Sequence, residues 1–162
     1  MKLRAISVLR IAKNALEMAS IIAMAAFFVL FSFIFKGYPE NSAYSFVLFS
    51  HLFIISKTTL FVLFFVAAGL NGLLFILYRF PSCYHYPFRI TAENIEMQYH
   101  LAKIMLSCEQ ILITLLFGSV FITMYANATQ QSTHPFTTAM IIFPVCIALV
   151  YGIYIALARR YR

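Results

Sequence analysis

Four apolar runs, at residues 16–35, 58–78, 104–125 and 139–158, constrain this chain more than any other feature. As helix, a run of about 20 residues extends about 30 Å, the thickness of a bilayer's hydrocarbon core. The positive charge is sorted between the runs. Of the 12 Lys and Arg residues, all but Lys36 and Lys57 fall before the first run, between the second and third, or after the fourth. This positive-inside pattern predicts that both termini are cytoplasmic. The expected fold is an all-α integral membrane protein, a single domain 1–162 with four transmembrane helices, N-in and C-in.

Composition narrows the function classes. With 63% hydrophobic and 10% charged residues, the chain lacks the polar surface of a water-soluble domain. The net charge of +7 belongs to helix flanks, which set topology and meet anionic lipid headgroups, so no nucleic-acid partner is expected. Cys83 lies in the loop after the second run, and Cys108 and Cys146 lie inside runs, so no disulfide framework is implied. Met1-Lys2-Leu3-Arg4 has the basic start of a signal peptide, but Arg10 and Lys13 interrupt the apolar stretch behind it, which predicts an uncleaved anchor. Residues 1–15 read as an amphipathic segment at the headgroups that turns into the first span.

The segment 44–56 is apolar but too short to cross a bilayer. It predicts an outer interfacial or re-entrant helix before the second span, the rival being one long tilted helix over 46–78. In the second run, Gly69 and Gly72 flank Asn71, a pattern for close helix approach with an amide bonding across the contact. Pro144 and Gly152 predict a kink in the fourth span.

A cytoplasmic elbow, residues 79–103, joins the second and third spans. Pro81 and Pro87 hold its first half extended. Thr91 reads as a helix N-cap with Glu93 in the first turn, which starts the helix at Ala92. The strings Arg79-Phe80-Pro81, His85-Tyr86-Pro87, Ile90-Thr91-Ala92-Glu93-Asn94 and Gln98-Tyr99 resemble a bacterial membrane-protein family of unknown function that includes the Sdp-type toxin immunity proteins. That family usually has Asn where His85 stands, and a Pro- and His-rich outer segment of which only Pro39, Glu40 and His51 remain here. The resemblance implies a multi-pass protein of the bacterial cytoplasmic (inner) membrane. It makes Arg79, Pro81, Tyr86, Pro87, Thr91, Glu93, Asn94, Gln98 and Tyr99 the elbow's motif residues.

Carboxylates inside a membrane are costly, so each needs a partner or a task. All five acids are Glu. Lys13, one turn before Glu17, is expected to neutralise it. Glu109 has no cation one turn away; with Asn71 it forms the candidate intramembrane polar site, either a proton or ligand site or an ion pair with Arg79 or a C-terminal Arg. Cys83, His85, His100 and Cys108 lack the spacing of a zinc set, and no His falls mid-span for haem, so neither metal nor cofactor is expected. No Ser-His-Asp set, HExxH or phosphate loop occurs, and the chain has no Asp, which predicts a non-enzymatic protein without catalytic residues. The leading expectation is a protein that binds a partner, immunity-like or as an accessory membrane subunit. The alternatives are a small oligomeric transporter, or transporter accessory, using Glu109 and Asn71, and a purely structural subunit.

Overall fold

The structure is a computed structural model that describes the backbone of residues 2–38, 44–48, 51–129 and 134–161. Side chains are described within 7–38, 56–129 and 138–161. Pro39 and Glu40, and the side chain of His51, lie outside the described residues. The elements in order are helix α1 (Lys2–Gly37), strands β1 (Tyr44–Leu48) and β2 (His51–Ile55), and helices α2 (Lys57–Arg79), α3 (Ile95–Ala128) and α4 (His134–Arg160). A single 3-10 turn, Pro81–Cys83, comes after α2. All four helices are long and apolar enough to cross a membrane.

α1 is one continuous helix of 36 residues, so the expected turn between a headgroup segment and the first span does not exist. Nothing between Lys2 and Lys36 breaks a helix, since that stretch has neither Gly nor Pro. α4 likewise continues through Pro144.

The segment expected to form an outer interfacial helix is instead an antiparallel hairpin, with Tyr44 paired to Ile55, Phe46 to Phe53 and Leu48 to His51. The rival long helix over 46–78 is also excluded, because α2 begins at Lys57. Short apolar runs are ambiguous by period, and here aromatic and β-branched residues favour the strand. Ser56 then fixes the start of α2 with a reciprocal capping box: its hydroxyl accepts from the Thr59 N–H at 3.3 Å, and the Thr59 hydroxyl accepts from the Ser56 N–H at 3.3 Å.

α3 is the post on which the other three helices pack. α1 runs parallel to it: Arg10 pairs with Glu96 at one end, and Gly37 abuts Tyr125 at the other. α2 and α4 run antiparallel to α3, with Lys103 over the Tyr78 ring and Gln98 on the last turn of α4. The N-terminus of α1 and the C-terminus of α4 therefore share one end, which also carries Arg79, Arg89 and Lys103. That basic end stands opposite Lys36, Lys57 and the hairpin.

Two apolar clusters fill the contacts along α3. Toward the hairpin, Phe27, Phe31 and Ile34 of α1 meet Leu60 and Ala67 of α2 and Phe121 and Met124 of α3. The Phe31 and Phe64 rings stack there with centroids 3.9 Å apart. At the basic end, Tyr78, Met97, Leu101, Met105 and Tyr154 form the second cluster. The outward faces stay apolar and uncovered: Phe33 is 74% exposed, Ile141 67% and Leu149 60%. Such faces are a liability in water and the normal lipid-facing surface in a bilayer.

Gly69 and Gly72 do not serve the close helix approach expected of them, since a Cβ at either would meet nothing within 4 Å. The close approach is at Gly37, where a Cβ would stand 3.2 Å from the Tyr125 hydroxyl.

Phe121 has no exposed surface and its ring packs 5.5 Å from both Phe27 and Phe31. Phe121→Ala is expected to cost about 3–5 kcal/mol. Denaturant unfolding of the purified protein in detergent measures it; a cost below about 1 kcal/mol would mean that α1 and α2 do not depend on this contact.

Candidate functional site

Two groups of polar residues stand out. The first is the elbow after α2. Arg79 is the last residue of α2, and the Pro81–Cys83 turn redirects the chain. The Tyr86 hydroxyl donates to the Pro81 carbonyl at 2.9 Å, closing the loop on itself. Its ring stacks on Tyr99 of α3, with centroids 5.6 Å apart, and meets Tyr84 edge-on at 5.1 Å. Tyr84 in turn meets Tyr154 of α4 at 6.1 Å, and its hydroxyl lies 3.6 Å from the Met105 sulfur. A row of four tyrosines thus joins the loop to α3 and α4. Burial pushes the Tyr84 and Tyr86 phenols well above their usual range, so both remain neutral donors at physiological pH.

α3 begins at Ile95, three residues later than the Thr91 cap implied, and Asn94 occupies the cap position. Asn94 is buried, and its side chain turns back into the loop: Oδ1 accepts from the Thr91 N–H at 2.8 Å, while Nδ2 donates to the Arg89 carbonyl at 3.2 Å. The Thr91 carbonyl accepts from the N–H groups of Asn94 and Ile95. Thr91 is therefore the base of the turn that Asn94 holds, and Glu96, not Glu93, supplies the acid in the first turn of the helix. Pro87, Thr91 and Glu93 are exposed.

Gln98 is 1% exposed. Its Nε2 donates to the Ala158 carbonyl at 3.0 Å and lies 3.5 Å from that of Tyr161. The last carbonyls of a helix have no partner within it, so a side chain on α3 closes the end of α4. The motif residues Pro81, Tyr86, Thr91, Asn94, Gln98 and Tyr99 are thus brought together as a clasp on the basic end of the post.

The second group is a polar seam between α1, α2 and α3. Ser107, Gln110 and Thr114 lie on one face of α3 and are all buried. The Thr114 hydroxyl lies 3.0 Å from Asn71 Oδ1 and 2.7 Å from the Gln110 carbonyl, while Asn71 Nδ2 donates to the Ala67 carbonyl at 2.9 Å. Asn71 is therefore an inter-helix tie. Gln110 Nε2 lies 2.8 Å from the Met24 sulfur of α1. Below it, a cavity of about 270 Å³ is lined by Glu17, Ser20, Tyr78, Ser107 and Gln110, with apolar walls above.

Glu109 does not join this seam. It is half-buried, lies within electrostatic reach of the Tyr84 hydroxyl, and among the described residues forms no ion pair with Arg79, Arg159 or Arg160. Asn71 and Glu109 are therefore not one site, and neither lines the 270 Å³ cavity or the larger groove of about 560 Å³ between α1, α3 and α4. Glu17 has no ion pair with Lys13 either; it lines the 270 Å³ cavity together with Tyr78. Among the described residues, no three His, Cys, Asp or Glu side chains gather as a metal would require. The seam had a signal in the sequence: Ser107, Gln110 and Thr114 recur at i, i+3 and i+7, and Glu17 and Ser20 at i, i+3. Reading Ser107 and Gln110 only as neighbours of Glu109 missed it.

Compared with known protein families, characterised proteins and solved structures, the chain has no match. What the fold itself defines is a protein with four helices fit to cross a membrane, the form of a multi-pass membrane protein.

Asn94 tests the clasp. Asn94→Ala removes both loop bonds and is expected to cost about 2 kcal/mol, whereas Asn94→Asp keeps the acceptor for Thr91 and costs about half as much. Thermal unfolding of both variants in detergent reads the difference; equal losses would show that the Thr91 bond contributes nothing.

Proposed function

We propose that the chain is a non-enzymatic membrane protein that acts by binding a partner, in the manner of a toxin-immunity protein of the Sdp type. In this reading it lies in a bacterial cytoplasmic membrane with both termini inside, so the hairpin faces the side from which a secreted, membrane-active toxin arrives. The charge distribution supports the orientation, because the described basic residues other than Lys36 and Lys57 gather at the end of the post that carries both termini.

The observation that carries the reading is the hairpin. β1 and β2 form a two-stranded sheet, and no third strand among the described residues pairs with either. A strand with a free edge adds a further strand through its backbone, which is a general way to capture an extended peptide. The elbow serves a different end in this account. Its Tyr86, Asn94 and Gln98 side chains are engaged with the chain's own backbone, so these three serve to hold the post.

Expression in a bacterium killed by an Sdp-type toxin tests the proposal, and protection is the expected result. In an antiparallel pair alternate residues exchange both backbone bonds, so either Phe53 or Ile54 donates across the ladder. Proline at the donating position removes that bond. Of Phe53→Pro and Ile54→Pro, one removes the N–H that bonds across the ladder and the other the N–H at the outer edge, so both should abolish protection at unchanged membrane abundance, while Gly69→Ala preserves it. Killing that is unaffected by the wild-type chain would count against an immunity role toward that toxin.

A further inference from the structure

A carboxylate at hydrocarbon depth is rare and needs a partner. Glu109 is half-buried on α3 and makes no ion pair among the described residues. It stands six residues past Lys103, about 9 Å further along the helix, which places it inside the apolar run and not at the basic end. Its direction follows from its neighbours on α3. Met105 and Cys108 line a groove shared with α4, whereas Lys103 and Thr114 meet Tyr78 and Asn71 of α2. Leu115 and Ile122, on the other side of α3, line the groove toward α1. At about 100° per residue, position 109 falls between the α4 face and the α2 face. Glu109 therefore stands at the seam between α2 and α4, and its partial exposure means that the seam is open beside it.

Three tyrosines gather at this seam. Tyr84 of the elbow lies within electrostatic reach of Glu109 and of Tyr151, and its ring meets Tyr154 edge-on at 6.1 Å. Tyr151 packs against Tyr154 at 6.2 Å and remains 45% exposed, which leaves ring surface available at the membrane-facing side. Charge and depth then select the occupant. An anion would be repelled by Glu109, and a neutral lipid chain would leave the carboxylate unpaired. Calcium or magnesium takes six or more oxygen ligands, more than the seam supplies. An organic cation with an apolar body needs only one counter-charge, and it is attracted to tyrosine rings within about 6 Å.

We propose that the seam between α2 and α4 binds a lipophilic organic cation, one whose positive charge is carried on an aromatic or aliphatic body. Glu109 supplies the counter-charge, Tyr84 and Tyr151 supply ring surface, and the lipid-facing sides of α2 and α4 take the apolar body. The ligand arrives from the bilayer, so the site needs no aqueous path. The proposal does not depend on the partner-binding reading above, which rests on the hairpin at the opposite end of the post.

The test is equilibrium dialysis of the purified full chain, in a nonionic detergent, against radiolabelled tetraphenylphosphonium, with binding to protein-free micelles subtracted. Tetraphenylborate, an anion of nearly the same size and shape, is the charge control and needs no mutation. One saturable phosphonium site per chain is expected, at least about tenfold tighter than any borate binding. Glu109→Gln should weaken phosphonium binding at least about tenfold, while Glu17→Gln should leave it unchanged. Tyr151→Leu should weaken it about threefold and Tyr151→Phe should retain it, which separates the ring from the hydroxyl. Equal retention of the two probes by the wild-type chain would overturn the proposal, as would phosphonium binding that survives Glu109→Gln. Carbodiimide coupling of Glu109 to a lysine of another protein in native membranes would overturn it too, because the seam would then already hold a partner's helix.

Discussion

A helix that leaves a bilayer brings its unpaired backbone groups with it, and something must satisfy them. This structure depends on how that is done at the basic end of α3. Gln98 reaches from the post to the last carbonyls of α4, and Asn94 pins the turn from which the post begins. Without Gln98, α4 would lose this polar tie to α3, and lipid competes for the apolar contacts between the two helices. The tyrosine row from Tyr99 through Tyr86 and Tyr84 to Tyr154 extends the same clasp sideways.

One post with three attached helices differs from a closed bundle. α1 and α2 meet through stacked rings such as Phe31 and Phe64 but leave a cavity nearer the basic end, and α1 and α4 leave the broader groove that includes Gly118 and Ser119. In water these gaps would be defects. In a bilayer they are places where a lipid chain or a partner helix completes the packing. One end of the post carries the clasp, and the other a two-stranded sheet that no third strand joins among the described residues.

The four helices were legible in the sequence because a 20-residue apolar run has few other uses, and the sorted cations agree with how the helices alternate in direction. The hairpin was not legible. The apolar segment 44–56 has no period that separates strand from helix, and its length alone argued for an interfacial helix. The elbow's residues were found through a resemblance, but their roles emerged only in three dimensions. Nothing in the spacing of Gln98 announces that it closes a helix end 60 residues further on. Asn71 and Glu109 line no common cavity, for a related reason. Glu109 drew attention because it is charged, whereas the interface between α1, α2 and α3 is built from the neutral side chains Ser107, Gln110, Thr114 and Asn71.

The central claim is that the hairpin end of the post meets a partner. A photo-crosslinking amino acid at Phe46, with one at the lipid-facing Leu149 as control, tests this in intact membranes of cells exposed to an Sdp-type toxin. The account predicts a covalent adduct between the Phe46 probe and the toxin, absent from the Leu149 probe. Crosslinks from Phe46 only to lipid, or only to another copy of this chain, would contradict it.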